Sequence, residues 1–142
     1  MRLTFFIFII GILAFTVGCD MGSDPVRHPR DMFLERVLRL KEGLLNYTTN
    51  HNGEFPKKLS ALYPEFLNDD DVIFVFSIDR NQLLSEREKK IYIRSAIENY
   101  PFFDYRDVAG DRDPILIAWP EQGPQRRGLA IYRDFGMRRI SR

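Results

Sequence analysis

The chain is predicted to fold as one α+β domain, a long N-terminal amphipathic helix packed on a small antiparallel sheet. Three observations predict it. Apolar residues recur at helical spacing after Asp31, and alternating apolar runs bounded by Gly, Pro and Asp turns follow Pro101. The order is helix first and antiparallel sheet after, which is the segregated order of α+β architectures.

The first helix is expected from Asp31, with Phe33, Val37, Leu40, Leu44 and Tyr47 at spacings of four, three, four and three, which place them on one stripe. Leu34, Leu38 and Leu45 are expected to widen that stripe, while Arg36, Arg39, Lys41 and Glu42 fall largely on the other side. Asn and Gly between Asn50 and Gly53 supply its stop. Pro56 to Leu67 reads as a short helix or turn, and the β-branched and aromatic run Val72 to Ile78 as a strand. Ser85 and Glu88 have capping-box spacing before a brief helix carrying Ile93, Ala96, Ile97 and Tyr100. Strands are then expected at Phe102 to Tyr105, Ile115 to Trp119, Leu129 to Arg133 and Met137 to Ile140. No internal repeat is present.

Of the 142 residues, 44% are apolar, 13% aromatic and 29% charged, the balance of a folded chain rather than a disordered one. Lys and Arg number 21 against 20 Asp and Glu, and residues 1–18 hold only Arg2 among the charges. The remainder is therefore neutral overall, which argues against a wholesale nucleic-acid binder.

Residues 1–18 have the order of a secretory signal: Met1-Arg2, an apolar stretch from Leu3 to Val17, then Gly18-Cys19. The stretch is short against the roughly 20 apolar residues of a spanning helix. Thr16-Val17-Gly18-Cys19 resembles the bacterial lipobox, with Thr16 where that motif usually has Leu. The resemblance implies cleavage before Cys19 and fatty acylation of that residue, giving a lipoprotein tethered to a membrane on the extracytoplasmic side of the cell envelope. Cys19 is the only cysteine, so none remains for a disulfide. Residues 19–30, with Gly22, Ser23, Pro25 and Pro29, read as a polar tether, and residues 31–142 as the single domain. Asp20 follows the cysteine; in enterobacterial lipoproteins an acidic residue there favours the inner membrane, and the choice between inner and outer membrane stays open here.

Leu44, Tyr47, Asn52-Gly53-Glu54-Phe55-Pro56, Leu59, Leu62 and Pro64 resemble the opening of the globular domains of type II secretion pseudopilins. In that family a Leu-striped helix ending in Tyr leads through Gly, an aromatic residue and Pro into a Leu-containing turn. Pro114 to Ile140 likewise resembles the closing strands of pilin-like proteins, with Gly136 at the tip of the last hairpin. The chain lacks the family's prepilin peptidase site. The resemblance thus implies a pilin-like domain carried on a lipoprotein anchor, partnered by envelope or secretion-system proteins.

The sequence assembles no catalytic constellation. Its serines include none in a Gly-x-Ser-x-Gly elbow, and His28 and His51 lie far apart, so neither a triad nor a zinc site of His and Cys is expected, and no cofactor. Asp104, Asp107, Asp111 and Asp113 surround Gly110 and could offer oxygen ligands to calcium, but Arg106 and Arg112 are interleaved and a solvated turn is the expectation. Arg126, Arg127, Arg133, Arg138 and Arg139 make the C-terminal segment basic. Arg127 and Arg133 would share a side of a strand by period two, giving either a charged edge or a surface for anionic lipid or an acidic partner. Trp119, Tyr100 and Phe103 are the aromatics that a small-molecule or cell-wall-binding module would use, and they equally suit a core.

Overall fold

The computed structural model describes residues 28–82, 85–108, 110–121 and 127–141. The leader, Cys19 and residues 20–27 lie outside the described residues. Helices α1 (Pro29–Asn50), α2 (Asp69–Val75) and α3 (Glu86–Glu98) precede strands β1 (Phe103–Tyr105), β2 (Leu116–Ala118), β3 (Arg127–Ile131) and β4 (Met137–Ser141), with 3-10 turns at Leu59–Leu62 and Arg80–Gln82. The strands form one antiparallel meander in the order β1-β2-β3-β4, so the domain is mixed α+β with helices first.

α1 starts two residues before Asp31, so Pro29 and Arg30 belong to the helix rather than to the tether. Pro29 suits the first turn because its fixed φ is helical and its missing N–H would be unpaired there anyway. The helix ends in the expected turn. Asn52 (φ 54°) and Gly53 (φ 86°) both take the left-handed conformation, and the Gly53 N–H closes on the Thr48 carbonyl at 2.8 Å, which satisfies an otherwise orphaned acceptor. Phe55 then stacks on Phe135 at 5.5 Å, and the Tyr105 hydroxyl donates to the carbonyl of buried Pro56, tying the turn to β1.

Val72 to Val75 is helical, not a strand. Local chemistry explains the correction: Asn68 Oδ1 accepts the Asp71 N–H at 3.0 Å, and Asp71 Oδ2 accepts the Asn68 N–H at 3.2 Å, a reciprocal capping box. Asp69, Asp70 and Asp71 fill the first turn, where negative charge is favourable. Val72, Val75 and Phe76 fall on one helical side and are buried. Ser77 (φ 53°) terminates α2, with the Ile78 N–H on the Ile73 carbonyl at 3.1 Å. α3 begins at the expected Ser85, whose Oγ accepts the Glu88 N–H at 3.4 Å, and it buries Ile93 and Ile97.

β3 runs two residues earlier than expected because Tyr132 to Gly136 is spent on the turn. The Tyr132 N–H reaches the Gly136 carbonyl at 3.1 Å, and Asp134 Oδ1 accepts the Gly136 N–H at 2.8 Å. The left-handed residue of that turn is Phe135 (φ 59°), not Gly136. In register, Ile131 pairs with Leu116 and Met137, and Leu129 with Ala118 and Arg139. Alternation therefore puts Leu116, Ala118, Leu129, Ile131 and Met137 on the core side, with Ile117, Gly128, Ala130 and Arg138 on the other. Gly128 is required there by close approach: a Cβ would lie 2.7 Å from the Ala118 carbonyl oxygen and 2.8 Å from the Trp119 ring.

One core joins Val37, Leu40 and Leu44 of α1 with Leu62, Leu67, Val72, Val75, Ile93, Ile97, Ile115, Leu116 and Ile131. The main packing partners of α1 are α2 and the Leu59–Leu62 turn, and its buried residues belong to the same core as those of the sheet. Leu34, Leu38 and Leu45 do not widen the buried stripe; they are exposed. Leu44→Ala should therefore cost about 2–5 kcal/mol in denaturant unfolding, from lost burial and the cavity left behind. Leu38→Ala should stay within about 0.5 kcal/mol; equal losses at the two positions would show that α1 is rotated from this placement.

Candidate interaction surface

The basic segment does not make one surface. Arg126 lies outside the described residues. Arg133 follows the end of β3, so period two does not carry over to it, and its guanidinium is used internally. Nη1 donates to the Val108 carbonyl and lies 4.0 Å from an Asp107 carboxylate oxygen, and the group sits 4.9 Å above the Phe55 ring centroid. Arg127 and Arg139 are exposed, and because Arg127 pairs with Ser141 while Arg139 pairs with Leu129, they are diagonal neighbours on one face. Arg138 points to the opposite face, 4.9 Å above the Tyr132 ring. Of the five arginines, the fold groups Arg127 with Arg139, separates Arg138 and withdraws Arg133.

The candidate aromatic platform is also divided. Tyr100 packs on Phe103 at 4.9 Å, and both contact Phe76, at 5.4 and 5.6 Å, so these two rings are part of the interior edge. Trp119 is half-buried over Gly128. In the acidic loop, Arg106 forks Asp104 with bonds of 3.2 and 2.8 Å, and Asp107 faces Arg133. Among the described residues no group of three or more His, Cys, Asp and Glu gathers as a metal would need. His51 is exposed and stacks on Tyr47 at 3.9 Å with its Nδ1 2.9 Å from the Tyr47 carbonyl. A groove of about 470 Å³ between α1 and α2 is lined by Arg39, Glu42, Gly43, Asn46, Phe66, Leu67 and Asp71. Arg39 is paired with Asp71 across it, Nη1 to Oδ1 at 2.8 Å.

The most concentrated polar chemistry is at Glu121, which sequence reasoning did not single out. Its Oε1 accepts from Arg36 Nη1 at 2.8 Å, from Ser77 Oγ at 2.9 Å and from the Tyr100 hydroxyl. Burial alone pushes the Glu121 carboxyl up, but the three donors outweigh it and hold the group below the ordinary carboxylate range. Tyr100 is raised by its own burial and then by donation to Glu121. This arrangement pairs a serine with a carboxylate, yet it is unsuited to nucleophilic catalysis. A carboxylate with three donors on one oxygen, one of them a guanidinium, is a weak base toward the Ser77 proton. A second tie joins Tyr63, Asp69 and Lys89: burial and donation to Asp69 at 2.7 Å push the Tyr63 hydroxyl up to about 12, and Lys89 with Tyr63 holds Asp69 low.

No local pattern marks Glu121 in the sequence, because its donors are brought in from three distant segments. The pattern-visible residues, the arginines, turn out to be partly structural.

Two outcomes follow from this geometry. Arg133→Ala should destabilise by about 1–2 kcal/mol through loss of the Val108 bond and the Phe55 contact, whereas Arg138→Glu should change unfolding by less than about 0.5 kcal/mol; the reverse ranking would put Arg133 in solvent. Glu121→Gln should cost about 1–3 kcal/mol at pH 7 by leaving Arg36 without its counter-charge. Because the folded carboxyl is depressed, its contribution is fully present above the unfolded value of about 4.3 and is lost as pH falls through the folded value. The difference between wild type and Glu121→Gln should accordingly shrink below about pH 4 in pH-resolved denaturation; a constant difference would mean that the charge is not what holds the cluster.

Comparison with family models, with curated proteins and with solved structures finds no match to this chain.

Proposed function

We propose that the protein is a lipid-anchored, extracytoplasmic domain of the bacterial envelope that acts by interaction rather than catalysis, as a structural component of a pilin-like or type II secretion assembly. One observation carries the reading. A leader with a charged start and an apolar run from Leu3 to Val17 ends at the sole cysteine, Cys19, only ten residues before α1 begins at Pro29.

Three features support the rest of the reading, two for the pilin-like part and one for interaction over catalysis. A 22-residue helix precedes an antiparallel meander. α1 ends in a turn with Asn52 and Gly53 left-handed and Pro56 buried after it, a geometry compatible with the helix-turn motif of the resemblance. The chemistry at Glu121 favours a structural tie over a reaction.

Metabolic labelling with a fatty-acid analogue tests the anchor: label should enter the wild-type chain and be lost in Cys19→Ala together with membrane association. Label retained in that variant would remove the lipoprotein reading. Crosslinking in membranes should then recover envelope or secretion proteins rather than leave a free monomer.

A further inference from the structure

The five large hydrophobic side chains left exposed among the described residues are Leu34, Leu38, Leu45, Ile91 and Tyr92, and three of them share one helix. Leu34, Leu38 and Leu45 stand 42%, 46% and 44% exposed on α1. Spacings of four and seven put them on a single line, beside but distinct from the buried stripe of Val37, Leu40 and Leu44. By the same spacing Arg30 and Lys41 border the line on one flank, and Asp31, Glu35 and Glu42 on the other.

We propose that this leucine line is a docking face for the bilayer that carries the Cys19 anchor, with α1 lying along the membrane interface. The inference rests on the lipoprotein reading and adds an orientation to it. From Cys19 to His28 the extended chain reaches at most roughly 35 Å, and α1 itself is about 33 Å long. The whole line is therefore within reach of the surface that holds the acyl chains. Anchoring makes the contact intramolecular, so a small apolar face suffices where a free protein would dissociate.

A second copy of the chain fits less well. A stable protein interface buries about 800 Å² per partner with some 20–30 residues a side, and three half-exposed leucines fall far short of that. At a bilayer interface they need only reach the boundary between headgroups and acyl chains. Arg30 and Lys41 can lay their stems on that boundary and keep their charges among the headgroups. The acidic flank then faces water, where Glu35 already meets Arg39 at 3.4 Å.

The test uses the full chain, purified from membranes and reconstituted in vesicles of phosphatidylethanolamine and phosphatidylglycerol. Acylation blocks the Cys19 thiol, so Leu38→Cys and Asn46→Cys each offer one thiol for a fluorescent probe, on the proposed face and about 80° round α1 from it, past the acidic flank that faces water. The Leu38 probe should be quenched several-fold more by lipid-borne quenchers than the Asn46 probe, and be protected from aqueous iodide. Equal iodide quenching at both sites, with the acyl mass present on Cys19, would overturn the docking face and leave the anchor standing. Absence of the acyl mass would overturn both. Protection at Leu38 that persists in detergent, with crosslinks between copies, would assign the line to self-association and overturn the membrane contact.

Discussion

The fold depends on one carboxylate oxygen that three distant segments share. Oε1 of Glu121, which follows β2, receives Arg36 from α1, Ser77 from the end of α2 and Tyr100 from the end of α3. The sheet strands are only three to five residues long, and apolar burial alone is indifferent to small rotations of a helix over such a surface. Directional, charge-assisted bonds are not. Glu121 therefore fixes which side of α1 faces inward at the level of Arg36, and the left-handed conformation at Ser77 is what aims that hydroxyl at the same atom. The Arg39–Asp71 and Lys89–Asp69 pairs repeat the logic at both ends of the first turn of α2.

How much of this could be read from the chain depends on how local the determinant is. α1 and α3 were legible because a buried stripe recurs every three or four residues and because Ser85 marks the start of α3, whereas Pro29, read into the tether, is the true start of α1. The sheet was legible as a succession of short runs, but the end of β3 was not, since Tyr132 continues the β-prone run Leu129-Ala130-Ile131 that the backbone abandons for a turn held by Asp134. Val72 to Phe76 has strand composition and forms a helix. There the Asn68–Asp71 box acts at the first turn, and Arg36 and Arg39 cover the Phe74 ring at 5.6 and 5.1 Å. Propensity weighs the side chains one at a time, whereas capping and that tertiary cover act on the segment as a whole.

The candidate surfaces show the same division. That the C-terminal segment is rich in arginine is a property of composition and was plain. Which arginines remain available follows from register, because consecutive residues of β4 face opposite sides and so part Arg138 from Arg139. Arg133 is drawn inward by Val108 and Phe55, residues 25 and 78 positions away, which no spacing rule connects to it. What the arginines do secure is the outer edge of the sheet. β4 pairs on one side only, and charged side chains on both of its faces discourage a further strand from adding there.

The exposure of Leu34, Leu38 and Leu45 is likewise set by the interior rather than by slack in the fold. Turning α1 to bury them would pull Arg36 from Glu121 and Arg39 from Asp71, and would lift Val37 and Leu44, both fully buried, out of the core. It would also move Gly43, whose missing side chain lets α1 approach to where a Cβ would be 3.0 Å from Leu67. A larger residue at that point would push α1 and the following segment apart. Three independent constraints, one electrostatic, one apolar and one steric, thus hold the helix at a rotation that leaves a line of leucines outside. Among the described residues most other large apolar side chains are enclosed, so a line kept outside by that many contacts is a feature of the surface, and under the proposed lipid anchor a bilayer would be the nearest apolar phase to it.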